Sequence, residues 1–109
     1  EYVYYPDSSI AEMIEWKSDE KNGEWSKYSI SGKPSLKALY YKNQLHGAYI
    51  EYFKDGNKSI EGAYKKGLKD GNWVYYSTNG SQEKMEVYEY GDLIKTLTKE
   101  NGEVKTIQH

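Results

Sequence analysis

The sequence predicts an all-β protein, an elongated single-layer antiparallel sheet of successive β-hairpins. Three observations predict it. A 24-residue unit recurs in phase, aromatic and β-branched residues lie between Gly-, Asn- and Asp-containing turns, and the aliphatic residues needed for a two-layer core are scarce. Only 37% of the 109 residues are hydrophobic on an inclusive count, and Tyr supplies 13 of them, against one Phe and two Met. Tyr buries a large ring but keeps a hydroxyl that needs a polar partner. Such a supply suits a thin sheet whose small core is shared between neighbouring hairpins.

The repeat sets the element order. GEWSKYSISG from Gly23 to Gly32, GAYIEYFKDG from Gly47 to Gly56 and GNWVYYSTNG from Gly71 to Gly80 align without a gap and start 24 residues apart. Tyr28, Tyr52 and Tyr76 keep the phase, as do Tyr40, Tyr64 and Tyr88, and then Asn43, Gly67 and Gly91. Full units therefore span 23–46, 47–70 and 71–94. Continuing the register backwards places Tyr4, Trp16 and Ser8 on the positions of Tyr28, Tyr40 and Gly32, so residues 1–22 read as a partial repeat. Ile10, Met13 and Ile14 have helical spacing after Ser8 and Ser9, but the register makes this stretch a return strand. Residues 95–109 read as a degenerate terminal cap, because Gly102 follows Gly80 by 22 residues. Glu1 falls one position into a strand, so the reading expects sequence upstream of it.

Turn chemistry supports each hairpin. Gly56 follows Asp55 and Gly80 follows Asn79, the pairs favoured where a turn needs positive φ. Gly67 and Gly91, with Asn43 in the equivalent place, mark a second left-handed position. On the strands that follow Gly23, Gly47 and Gly71, one face carries Ser26, Tyr28, Ile50, Tyr52, Val74 and Tyr76. The other carries Trp25, Tyr49, Glu51, Trp73 and Tyr75. Both faces hold aromatics, so the pattern does not choose the buried one. The outer edges of such a sheet invite pairing between copies of the chain.

Composition excludes several chemistries. Cysteine is absent, and all 15 basic residues are lysines, which removes disulfides, thiolate metal sites and the bidentate arginine fork that grips phosphate. The net charge of -2 argues against nucleic acid as a partner. His46 and His109 have no ligand spacing, and His46 reads as part of an inter-hairpin turn. No cofactor, metal site or catalytic constellation is expected.

The unit G-x-W-x-x-Y-x-x-x-G, followed by Tyr64-Lys65-Lys66-Gly67-Leu68-Lys69-Asp70-Gly71, resembles the MORN repeat. It is similar to the variant found in bacterial proteins classed as YwqK-family antitoxins. The likeness covers residues 23–94, with departures at Asn43 and at Lys95, which stands where a unit-starting Gly belongs. The resemblance implies a twisted sheet of hairpins used for protein or membrane contacts, and a toxic protein as an antitoxin's partner. MORN repeats also accompany lipid-kinase domains, but no glycine-rich phosphate loop, H-R-D or D-F-G run occurs here.

Function is read as a non-catalytic scaffold whose Tyr- and Trp-rich surface meets a protein. The candidate contact residues are Trp25, Tyr49, Phe53, Trp73 and Tyr75, of which Phe53 and Tyr75 are not demanded by the repeat. For Trp25, Tyr49 and Trp73 the competing role is core, since a repeated residue in a solenoid usually joins neighbouring units. Gly23, Gly32, Gly47, Gly56, Gly67, Gly71, Gly80 and Gly91, with the repeated tyrosines, are read as structural. A glycan- or wall-binding module and a membrane-associating module are the alternatives. The expected location leans towards the envelope of a bacterium.

Overall fold

The computed structural model describes all of residues 1–109. Ten strands run in order across one antiparallel sheet, with no helix. They are β1 (Tyr2–Tyr4), β2 (Ile10–Lys17), β3 (Glu20–Tyr28), β4 (Pro34–Tyr41), β5 (Gln44–Tyr52), β6 (Lys58–Lys65), β7 (Leu68–Tyr76), β8 (Gln82–Glu89), β9 (Asp92–Glu100) and β10 (Glu103–Gln108). Each strand pairs with its neighbours in sequence, so every connection is a hairpin. The molecule measures 46 × 31 × 14 Å.

Two turn types alternate, which explains the glycine spacing. Ser18-Asp19, Lys42-Asn43, Lys66-Gly67 and Tyr90-Gly91 each hold two consecutive residues at positive φ. That backbone twist suits a two-residue hairpin loop. At the opposite rim, Ser8, Gly32, Gly56 and Gly80 each take a single left-handed residue, at φ of 73° to 93°. There the Gly56 N–H donates to the Phe53 carbonyl at 3.0 Å and the Phe53 N–H to the Asn57 carbonyl at 2.8 Å. The same bonds recur around Ser8, Gly32 and Gly80. The Asp55 and Asn79 side chains accept the N–H groups of Asn57 and Ser81, fixing the loops from within.

The glycine that opens each unit works differently. Between Ile14 and Trp16 of β2 the partner on β3 jumps from Trp25 to Lys21, so β3 bulges by two residues around Gly23. β5 and β7 bulge likewise, next to Gly47 and Gly71. At Gly47, φ is 109° and an added Cβ would lie 3.1 Å from Leu39 Cδ1. On β9, where Lys95 replaces the glycine, the bulge shrinks to one residue. An odd insertion moves every later side chain to the other face. Leu97, 24 residues after Trp73, therefore pairs with Met85 on the opposite side of the sheet. The last hairpin closes with the two-residue turn Asn101-Gly102 rather than the longer loop.

His46 is a correction to the sequence reading. It lies within β5 rather than in a turn, and its Nδ1 accepts the Lys66 N–H at 3.1 Å. Together with the Gly67 N–H donating to the Leu45 carbonyl, this ties the turn of one unit to the strand of the unit before it.

The sheet alternation leaves a ring face, with Trp25, Tyr49 and Trp73, and a second face, termed the aliphatic face for Ile50 and Val74, which also carries Ser26, Lys37, Glu61 and Tyr76. Only five residues are buried. Ile14, Leu36, Ala38 and Trp73 lie on the ring face, and Ser26 lies on the aliphatic one. The core is thus a strip of the ring face between β2 and β7.

Candidate functional site: the ring face

The ring face is built around Trp73. Its indole is 2% exposed and packs against Tyr64 at 5.1 Å and Tyr49 at 5.3 Å between ring centroids, with Tyr88 at 6.4 Å. Tyr49 and Tyr64 also meet edge to face at 5.4 Å. The indole Nε1 donates to the Ala63 carbonyl at 3.0 Å, so the one polar group of the ring is satisfied. Gly62 makes room for it. Gly62 pairs with Tyr49 on β5, and a Cβ there would sit 2.5 Å from Trp73 Cε2 and 2.7 Å from Cε3. The ring lies over bare backbone, and this glycine is required by space rather than by φ.

Polar partners surround the rings. The Tyr75 hydroxyl donates to Glu86 Oε1 at 2.7 Å and the Tyr88 hydroxyl to the same atom at 3.2 Å. The Tyr49 hydroxyl donates to Glu51 Oε2 at 2.9 Å. Lys69 Nζ stands 4.6 Å from the Trp73 ring centre and 5.0 Å from that of Tyr88, and Lys84 Nζ stands 4.4 Å from that of Tyr75. These are cation–π distances. Burial, reinforced by the carboxylates they bind, pushes Tyr49 and Tyr75 far above the ordinary phenol range. Burial alone would raise Glu86. The hydrogen bond from Tyr75, the Lys84 and Lys69 charges and the Tyr88 hydroxyl outweigh it, and the carboxyl is held below its usual value. Neutral phenols therefore donate to fixed carboxylates, which hold the rings in place.

The five candidate contact residues occupy different settings. Tyr49 and Trp73 come together in the ring stack, with Trp73 enclosed and Tyr49 half-buried. Tyr75, half-buried, sits one row away, opposite Lys84. Trp25 belongs to a smaller group, 5.5 Å from Tyr40, with its Nε1 donating to Glu12 Oε2 at 2.9 Å and Lys27 Nζ 5.4 Å from the ring centre. Phe53 opens the loop that follows β5 and makes none of these ring contacts.

Gly62, Glu86, Lys69 and Lys84 complete the site, although none of them is among the contact residues expected from the sequence. Gly62 did carry a signal: a glycine inside a strand pattern marks close approach by another group. Glu86 carried none, being one acid among 17 Asp and Glu. No protein-family model matches this chain, and no curated protein matches it.

Proposed function

We propose that the chain is a non-catalytic repeat scaffold whose Tyr- and Trp-bearing sheet surface binds a protein. The observation that carries this reading is exposed area. The molecule exposes 7240 Å² at 12.7 kDa. A compact monomer of that mass exposes about 6,200 Å², so roughly 1,000 Å² is in excess. One partner gives up about 800 Å² in a standard protein–protein interface. On the ring face, half-buried aromatic residues held by hydrogen bonds supply rigid anchors of the kind that dominate such interfaces. The resemblance to MORN repeats points the same way, towards an antitoxin-like or envelope-associated role in a bacterium.

A photo-crosslinking amino acid placed at Tyr75 or Phe53 tests this in the cells that make the protein. The reading expects a discrete protein adduct, released by protease and absent when the probe is at Thr78 on the loop rim. Adducts that are released only by wall-degrading enzymes would favour a glycan module, and adducts extracted with lipid would favour a membrane module. Either result would overturn the protein-binding reading.

A further inference from the structure

We propose that the aliphatic face is covered by a second copy of this chain, in a two-fold dimer whose axis runs along β5. One row of that face crosses the sheet strand by strand. Ser26 on β3 pairs with Lys37 on β4, Lys37 with Ile50 on β5, Ile50 with Glu61 on β6, and Glu61 with Val74 on β7. Lys37 and Glu61 thus stand one strand to either side of Ile50. Lys37 is exposed and has no ion-pair partner in its own chain. Glu61 is bonded by Lys58 and by the Tyr76 hydroxyl, one to each carboxylate oxygen, which leaves lone pairs free.

Stacking two such faces about an axis parallel to β5 sets Ile50 on its own copy. It also brings Lys37 of each chain over Glu61 of the other, twice per dimer. The alternatives bury charge badly. An axis along β4 opposes the two Lys37 side chains, and an axis along β6 opposes the two Glu61 side chains. An axis along β7 presses Glu61 onto Met85. In the neighbouring row Leu39, 39% exposed, meets the small Ala63 of the partner and Ala48 meets Ala48. Two strands from the axis the exposed Glu24 comes over the partner's Asp70, a like-charge pair that must stay solvated at the margin of the contact. A shallow groove of about 90 Å³ lined by Glu24, Lys37, Leu39, Ala48 and Ile50 is open beside that row. Stacked sheets lie about 10 Å apart and cross at roughly 30°, which tilts the axis by about 15° from β5 and displaces a position one strand from it by only about 2.4 Å, within lysine's reach.

This face differs from the ring face in its side chains. Ile50 and Val74 near its centre are aliphatic and alternate with the charged Lys37 and Glu61, whereas on the ring face the Tyr49, Tyr75 and Tyr88 hydroxyls already donate to carboxylates.

Sedimentation equilibrium of the full chain tests the dimer. The wild type is expected to approach twice 12.7 kDa as concentration rises. Lys37→Glu replaces two attractive pairs with two repulsive ones and is expected to weaken dimerisation roughly ten- to a hundredfold. Lys37→Glu combined with Glu61→Lys restores the pairs in exchanged order and should recover most of the loss. The chain has no cysteine, so Ala48→Cys reports independently: a short bismaleimide linker should join it to its copy. A wild type that stays monomeric to millimolar concentration would overturn the proposal. So would a dimer indifferent to Lys37→Glu, or a double variant no better than the single one while circular dichroism shows it folded. Neither failure touches the ring-face partner, which the crosslinking experiment tests separately.

Discussion

Replacing Gly62 with alanine is the sharpest perturbation of the ring stack. By strand propensity alone the change should help, since glycine in an element interior costs about 0.5–1 kcal/mol relative to alanine. The packing says the reverse. The new Cβ would lie 2.5 Å and 2.7 Å from two atoms of an indole that is 2% exposed, about 1 Å inside ordinary contact. The ring is blocked by Tyr49, Tyr64 and Tyr88 and tied through Nε1 to the Ala63 carbonyl. Overpacking of this kind costs about 2–3 kcal/mol, and loss of the indole hydrogen bond about 1 kcal/mol. Disturbed ring contacts add about 0.5 kcal/mol. With the propensity gain subtracted, Gly62→Ala should destabilise by about 3 kcal/mol. Urea unfolding followed by tryptophan fluorescence measures this. In a Trp73→Leu background the same substitution should be nearly neutral, because its obstacle is gone. A Gly62→Ala protein as stable as the wild type would refute the reasoning.

Other consequences follow from the same geometry. Trp73→Ala removes the hub of the ring stack and should cost about 3–5 kcal/mol in the same unfolding assay. Gly47→Ala, at a φ of 109° and against Leu39, should destabilise by more than Gly32→Ala, where φ is 89° and nothing lies within 4 Å. Tyr49 and Tyr75 have raised folded-state values, so their contribution is complete below pH 10, where the unfolded chain keeps its phenols neutral. That contribution is lost as pH climbs further, and the fall in urea midpoint above pH 10 should be shallower in Tyr49→Phe and Tyr75→Phe. Glu61 and Glu86 are lowered, so their contribution is present above the ordinary carboxylate value of 4.5 and lost as pH falls through their folded values. Glu86→Gln should flatten the acid limb of the stability profile.

The hairpin architecture was legible because its signals are local. A turn that needs a left-handed residue selects Gly, Asn or a short polar side chain at a fixed offset, so Asn43, Gly67 and Gly91 announce one rim and Gly32, Gly56 and Gly80 the other. Ser8 takes the same left-handed conformation as Gly32, Gly56 and Gly80, although no glycine stands there. The site was legible only in part, because its decisive contacts join residues on different strands. Nothing in the neighbourhood of Gly62 shows that an indole 11 positions later will lie over it. Lys95 stood out as a missing glycine, but its effect, a bulge shortened by one residue that carries Leu97 to the other face, depends on a pairing the pattern does not contain. The identical 24-residue spacing of Trp25, Tyr49 and Trp73 likewise conceals unequal roles. Trp73 has Gly62 of the preceding strand beneath it and is enclosed, whereas Trp25 has Ile14 in the equivalent place and stays half-buried.

The central claim is that each chain folds as one open layer rather than as a compact two-layer globule. Small-angle X-ray scattering extrapolated to infinite dilution tests it most directly. The account predicts a radius of gyration near 16.0 Å and a plate-like particle. A value near the roughly 13 Å of a compact globule of this length would contradict it.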